Sequence, residues 1–390
     1  MVKEGKKAMC KSNDLFDVNG ADKLNEQCVS EREEIIKYHA KNPKCLFFIS
    51  LSGGKDSQAQ YIKVRSMVPK ERIVVIHANL GAVEHDGVIE HIKGTIDHEL
   101  HVVKNEHKDF IQMVLARGMF PSPKFRQCTS DLKTGPIFKF IRKYMKEHGY
   151  TTGFNVSGLR AEESTGRAMK NPLWVNKSLT LASGARTVFD WMPIFHYSES
   201  DVYEAIRQAG QKPHPAYGDR AEGGVQGNSR LSCILCIMGS KSDLERGANN
   251  YKDHYHEMVA LENVTGHTMF GKSKIVHTDR KFVKGEPLGE GKVTLCIPNT
   301  NKRAVMPFKC TVFIPVPLSD KIGAPIDELL VTRHQRRLTE LRANTMQAEA
   351  ERKELKENKK KLAASAIGSR NKKRDTSTID FLESFDMTAQ

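Results

Sequence analysis

The stretch Ser52-Gly53-Gly54-Lys55-Asp56-Ser57 stands directly behind the apolar run Cys45 to Leu51, and this junction constrains the fold more than any other part of the chain. A run of Phe, Ile and Leu character calls for a buried strand, and the two glycines after it let the backbone turn with its N–H groups facing one way. Gln58 to Met67 has helical character, so those N–H groups would stand at a helix N-terminus, where unpaired donors and the helix dipole favour an anion. The spacing predicts a phosphate cradle. A Gly-Gly turn between strand and helix also forms without any ligand. GxxxxGK[ST] and GxGxxG are both absent, which argues against a kinase-like loop or a dinucleotide site.

At 390 residues the chain suits one large domain plus additions, and 39% hydrophobic residues suffice for a real core. A net charge of +14 points to an acidic partner, nucleotide or nucleic acid ahead of a membrane. No apolar run approaches the length of a membrane span, and the opening MVKEGKKAMCKSND lacks the apolar stretch of a signal peptide. A cytoplasmic location is expected. In a reducing compartment the eight cysteines are poor candidates for disulfides, so a metal is the better expectation where they cluster, as Cys233 and Cys236 do.

Residues 1–30 are polar and without period, and are expected to form an arm. The main domain, 31–265, opens with a helix over Glu31 to Ala40. Cys45 to Leu51, the helix from Gln58 and the apolar Ile73 to Ala78 make a βαβ unit, hence a parallel sheet. Further strands are expected at His98 to Lys104, Phe154 to Gly158 and Val188 to Ile194. Helices are expected at Phe110 to Arg117, Pro136 to Lys146, Ser198 to Ala209, with Ser198 and Asp201 as a capping box, and Ser240 to Glu262. The fold class is therefore α/β, a doubly wound parallel sheet, with ligands expected outside the carboxyl ends of its strands. A small β-rich segment at 266–325, a long charged helix at 326–364 and a disordered tail at 365–390 complete the chain. In the charged helix Leu341, Ala348, Leu355 and Leu362 recur every seven residues, but the second seam carries Thr345 and Arg352, which suits a solvated or partner-bound helix better than a coiled coil.

Five pieces stand in fixed order: the Ser52–Ser57 loop; His77-Ala-Asn79-Leu-Gly81 with Glu84; Pro121-Ser-Pro123 running to Cys128-Thr-Ser-Asp-Leu-Lys133; Gly158-Leu-Arg160 with Glu163, Ser164 and Arg167; and Pro215-Ala-Tyr217 with Arg230-Leu-Ser-Cys233-Ile-Leu-Cys236. The loop resembles the SGGxDS signature of the PP-loop ATP pyrophosphatases, which cut ATP between its α and β phosphates. Together the pieces resemble the phosphoadenosine phosphosulfate (PAPS) reductase-like branch of that superfamily, phage and prophage versions above all, over about residues 44–245. The resemblance implies a Rossmann-like PP-loop domain that binds ATP and Mg²⁺.

Lys55, Lys133, Arg160 and Arg167 are then expected to converge on the triphosphate, Arg as a bidentate fork and Lys as a point charge, neutralising a pyrophosphate leaving group. Asp56, an acid inside an anion site, makes sense if it holds Mg²⁺. Ser52, Gly53, Gly54 and Ser57 line the cradle, with Ser57 serving equally well as a helix-cap hydroxyl. His77 and Asn79 are placed to meet the sugar or base, although many relatives have Asp where Asn79 stands, and Gly158 belongs with Arg160 to the same nucleotide edge. Trp191 and Phe195 suit either adenine stacking or the core.

In the sulfonucleotide reductases that bind an iron–sulfur cluster, a Cys-Cys pair stands where this chain has Cys128-Thr129. Three ligands remain: Cys128, Cys233 and Cys236. They suit a [4Fe–4S] cluster with one iron open, or Zn²⁺ with His254, His256 or water as the fourth ligand. The expected activity is adenylylation of an acceptor, a nucleotide or nucleic acid, for sulfur transfer, with a nucleic-acid-processing protein as a further expected partner and homo-oligomerisation left open. Sulfonucleotide reduction is the alternative enzyme. It is set back because those reductases carry a nucleophilic Cys near the C-terminus, whereas here the last cysteine is Cys310. A nucleotide-binding regulatory subunit without turnover is the alternative outside catalysis.

Overall fold

A computed structural model describes residues 31–277, 280–283, 286–290, 293–296, 303–306 and 309–383, giving the backbone alone for 272–315 and beyond 361. The expected arm, 1–30, lies outside the described residues. Helix α1 (31–40) precedes β1 (Cys45–Ser50), α2 (Lys55–Arg65), β2 (Ile73–Ala78), α3 (Val88–Thr95) and β3 (Leu100–Val103). Next come α4 (Phe110–Arg117), the short α5 (Gln127–Thr129), α6 (Gly135–Glu147), β4 (Thr152–Val156) and α7 (Thr165–Ala168). β5 (Leu173–Val175), β6 (Thr187–Trp191) and α8 (Glu199–Gln208) end the sheet region.

The six strands run in the order β3-β2-β1-β4-β6-β5, all neighbours parallel except the edge pair β5–β6. The chain winds from β1 to β2 and β3 on one side and to β4 and β6 on the other. The crevice between β1 and β4 is thus the topological switch point, the place where such sheets take ligands. Every residue of β1 and β2 is buried except the half-buried Ser50, as the near-continuous apolar runs of a doubly covered parallel sheet require.

One face packs Phe47, Ile49, Phe154 and Trp191 against α1, α2 and α3, with Phe47 stacked on Phe154 at 4.6 Å. The other packs Leu46, Phe48, Val74 and Ile76 against Ile141 and Met145 of α6. Trp191 and Phe195 are both buried in this core. Ser198 and Asp201 form the expected capping box of α8, Asp201 N–H donating to Ser198 Oγ at 3.1 Å and Ser198 N–H to Asp201 Oδ2 at 2.7 Å.

Several elements differ from the sequence reading. α3 and β5 were not expected; the first begins at a left-handed Gly87 and contains Gly94, and the second has only three residues behind Pro172. The helix expected over 240–262 is two, α9 (Lys241–Asn250) and α10 (Lys252–Thr265), broken at Tyr251, whose backbone leaves helical geometry.

Beyond α10, β7 (Phe270–His277), β8 (Arg280–Val283), β9 (Glu286–Glu290), β10 (Val293–Cys296), β11 (Arg303–Met306) and β12 (Lys309–Val316) form three antiparallel pairs, β7–β12, β8–β9 and β10–β11. α11 (Leu318–Ile322) returns the chain to the domain, where Leu318 and Ile322 join Val114, Leu244, Leu261, Val331 and Leu338 in a helical core. α12 runs from Glu328 to Glu383, past the expected end at 364 and through residues read as a tail. No proline follows Pro325, and Ala363, Ala364 and Ala366 favour continuation of the helix. No described helix is long and apolar enough to cross a membrane.

Candidate functional site

Gly53 sits at φ +77°, and a Cβ there would come 2.9 Å from Val88 Cγ1, so the turn out of β1 needs glycine on both counts. Gly54 is the N-cap of α2 and gives it no side-chain cap, which leaves the helix start to backbone donors. Ser57 resolves to a local role: its hydroxyl donates to Gly54 C=O at 2.8 Å and accepts Ser52 N–H at 3.2 Å, with Ser52 Oγ 3.3 Å away. The loop is stapled by its own serines.

Lys55 is only 3% exposed. Its ammonium lies 3.3 Å from Asp56 Oδ2 and 3.4 Å from Glu199 Oε1, over the rings of Tyr217 (5.4 Å) and Tyr203 (5.9 Å). The other oxygen of Asp56 takes Arg160 Nε at 2.6 Å, and Arg160 Nη1 reaches Glu162 Oε2 at 2.5 Å. Arg160 comes from the end of β4 and is 5% exposed. Against the penalty of its burial, Asp56 and Glu162 raise the guanidinium's pKa, so it stays charged. Glu162 also accepts Glu199 N–H at 2.8 Å, and Glu163 accepts Arg160 N–H and pairs with Arg167. The two glutamates orient the two arginines. Arg167 lies within the field of Asp56, and its pKa is lowered by burial and by Arg230, Arg126 and Arg160. Lys55, Asp56, Arg160 and Arg167 therefore meet at one strand edge, as the sequence leads one to expect.

Gly158 belongs to packing. A Cβ there would strike Asp56 C=O at 2.8 Å and Gln60 Oε1 at 2.9 Å, so only glycine lets β4's exit pass α2 so closely. The wholly buried Gln60 donates to Ser50 C=O and Val156 C=O, the last carbonyls of β1 and β4.

His77 is packed inside the fold. It is 1% exposed, and its ring nitrogens face Leu51 C=O at 2.9 Å and Glu84 Oε2 at 3.3 Å, which makes it a strut under the loop's entry. Asn79 Oδ1 accepts Gly81 N–H at 2.7 Å and closes a turn. Lys133 stands beside the cysteines, where its charge favours the thiolate forms of Cys128 and Cys233.

Tyr217 was quoted in the sequence motif without a role. Its ring is 1% exposed, and its hydroxyl accepts two backbone donors, Lys55 N–H at 3.0 Å and Leu231 N–H at 3.1 Å. One oxygen thus joins the first turn of α2 to the segment that carries Cys233 and Cys236. Burial pushes its pKa well up, so the phenol stays neutral. Glu199 was likewise missed, since nothing in its local sequence separates it from an ordinary first-turn acid.

Cys128, Cys233 and Cys236 line one small cavity together with His254, Phe110 and Met258. Its volume is about 20 Å³, little more than one water-sized body. Burial pushes the Cys233 thiol up to about 12 and raises that of Cys128 as well, with neighbouring thiols adding to both. Cys236 Sγ accepts Met238 N–H at 3.4 Å. His254 Nδ1 faces Glu257 at 3.2 Å, whereas His256 is consumed structurally, with Nδ1 on Lys252 C=O and Nε2 accepting Asp327 N–H. His256 is thereby removed as a fourth ligand. Three soft thiols and an imidazole have converged, the donor chemistry that thiophilic metals take. Among the described residues no three His, Cys, Asp or Glu side chains stand in a metal-holding arrangement.

Residues 47–237, from β1 through the Cys233–Cys236 pair, match the phosphoadenosine phosphosulfate reductase domain. That segment belongs to the PAPS reductase domain family. An uncharacterised 37.8 kDa protein of Escherichia phage 186 is 26% identical over 241 residues, 50% of this chain and 68% of that protein. Among solved structures, the Candida auris phosphoadenylyl-sulfate reductase in a phosphate complex aligns with 57% of this chain and 97% of its own, at 12% identity and TM-score 0.34. The Candida glabrata FMN adenylyltransferase bound to FMN and an ATP analogue aligns with 53% of this chain and 65% of its own, at 12% identity and TM-score 0.31. The PAPS reductase domain here thus holds both the phosphate loop and the three cysteines.

Proposed function

We propose that this chain is an ATP pyrophosphatase that adenylylates a nucleotide or nucleic acid acceptor for sulfur transfer. The observation that carries the reading is the buried Lys55–Asp56–Arg160 network at the N-terminus of α2. An acceptor oxygen attacks the α phosphorus of ATP, the bond to the bridging oxygen breaks, and pyrophosphate leaves into the cradle. Lys55, Arg160 and Arg167 neutralise the charge that builds there. Asp56 would hold Mg²⁺, which would supply further neutralisation there. A sulfide supplied by a separate sulfur donor then attacks the activated acceptor atom: the acceptor–S bond forms, the acceptor–O bond breaks, and AMP leaves with that oxygen.

The thiols of Cys128, Cys233 and Cys236 are soft ligands for an iron–sulfur cluster, with Zn²⁺ as the alternative. A cavity of about 20 Å³ has room for a single ion, round which the thiols would have to draw together, and for a cluster only once its apolar wall moves apart. The net charge of +14 and the exposed Lys359 to Lys361 on α12 support an acidic acceptor. Incubation with labelled ATP, Mg²⁺ and nucleic acid is expected to release AMP and pyrophosphate together. Clear ATP binding without release for any acceptor would overturn the reading in favour of a regulatory subunit. The domain match favours one second enzyme, sulfonucleotide reduction. Steady sulfite release from PAPS with thioredoxin would establish it instead.

A further inference from the structure

A separate cavity of about 590 Å³ lies beside the sites described above, within the range of small-molecule sites. Its wall includes His85, His91, His214, Asn228, Arg246 and Tyr251, none of which belongs to the phosphate or thiol chemistry above. It nevertheless adjoins the phosphate loop. Gly87 lies in its wall, and the next residue, Val88, is the side chain that meets Gly53. Pro215, Ala216 and Gly218 of the wall flank Tyr217, whose hydroxyl holds Lys55 N–H.

The wall sets flat uncharged rings beside one cation, with His91 and Tyr251 partly open and His85 and His214 buried behind them. His214 Nδ1 accepts Ala216 N–H at 3.1 Å, so its Nε2 carries the proton and donates to Asp86 C=O at 3.2 Å. His91 stands edge-on to His214 at 5.1 Å, and His85 edge-on to Tyr251 at 5.5 Å. Burial lowers the pKa of all three histidines, that of His91 to about 4, so the rings are neutral at physiological pH. Arg246 Nε donates to Asn228 Oδ1 at 3.2 Å, and Asn228 Nδ2 donates to His85 Nε2 at 3.3 Å, which ties the cation to the rings. Arg246 Nη2 reaches Asp243 at 3.3 Å, but Ser229 N–H and Oγ already hold that carboxylate at 2.8 and 2.6 Å. Arg246 Nη1 has no protein partner among the described residues and remains for a ligand.

We infer that this cavity binds one nucleotide unit of the acceptor, its base against the histidine and tyrosine rings and its phosphate on Arg246, next to the loop that holds ATP. Aromatic faces accept any base by stacking, and the free Nη1 of the guanidinium can donate a charge-assisted hydrogen bond to a phosphate oxygen. The inference rests on the proposed ATP chemistry for its meaning, though not for its test.

The probes are cytidine monophosphate and labelled single-stranded DNA and RNA, titrated into the full chain with and without a saturating non-hydrolysable ATP analogue. Binding of the monophosphate is expected to persist in the presence of the analogue and to fall tenfold or more in Arg246→Gln and His91→Leu, while both variants bind the analogue as the parent does. Retained strand binding with the same sensitivity identifies a nucleic acid acceptor; monophosphate binding alone identifies a free nucleotide. Displacement of the monophosphate by the analogue, or equal binding in parent and variants, overturns the inference. If the analogue does not bind at all, the ATP reading fails, while the comparison of parent and variants still decides the cavity.

Discussion

Around the phosphate loop each buried charge already has its counter-charge, whereas the thiol cavity a short way along the chain holds groups that burial leaves incompletely served. Lys55, Asp56, Arg160, Glu162 and Glu199 close a continuous network without any ligand. Burial raises the thiols of Cys128 and Cys233 and keeps them protonated, with Thr129 beside Cys128 and Met238 N–H on Cys236 as donors to sulfur. The first region is organised before its ligand arrives. The second keeps soft donors together in a space they do not fill with bonds, so a metal bound there would do the final organising. Removing a member should therefore harm the first region through stability and chemistry at once, and the second chiefly through what it can hold.

Asp56→Ala gives the largest expected effect. It strips both nearly buried cations of their shared carboxylate, and breaking such a pair costs about 3–5 kcal/mol, here toward the lower end because Asp56 is 23% exposed. Pyrophosphate release should fall on the order of 100-fold to 1,000-fold, as when a group that stabilises transition-state charge is deleted. Calorimetry and labelled-ATP turnover on the same preparation check both. Loss of turnover with unchanged melting would mean that the network is not self-supporting. Next in size is Cys233→Ser, or the same change at Cys128 or Cys236: each should abolish bound iron or zinc in anaerobically purified protein, read by elemental analysis, while ATP affinity stays within about twofold, as for sites without shared partners. A matching loss of ATP affinity would merge the two regions into one.

The contrast between the regions also sets what the sequence reveals. The β1 run, the glycine turn and the cations Lys55, Arg160 and Arg167 are legible because one strand edge gathers local motifs, each with its own physical reason. For His77 the place at a strand end is visible in the sequence, but its burial between Leu51 C=O and Glu84 is made by the fold. Tyr217 touches Lys55 across 162 positions, and no local pattern marks a phenol that accepts two amides. Lys133 was assigned to phosphate because it is a cation in a shared motif, while the turn it occupies delivers it to the thiols. The three cysteines were legible as a group, but the space between them was not.

Tyr217→Phe tests the link between the regions directly. It removes the acceptor of two amides, and an unmet buried donor costs about 1–3 kcal/mol. Hydrogen exchange should speed up at Lys55 and Leu231 together, with stability read by urea denaturation. Faster exchange at only one of the two amides would show that the phenol does not join the loop to the cysteine segment.

The smallest effect concerns acid. His91 has its pKa lowered from 6.5 to about 4 by burial and by His214, and burial lowers His85 and His214 too. The unfolded chain therefore takes up protons near pH 6.5 that the folded one refuses until about pH 4. Stability falls as pH drops through that window, because the unfolded state binds more protons there, and it is at its full value above it. His91→Leu removes one such proton and should flatten the fall in melting temperature between pH 7 and 4, leaving the value at pH 8 nearly unchanged. An equally steep acid limb in the variant would place the loss elsewhere than on the imidazole wall.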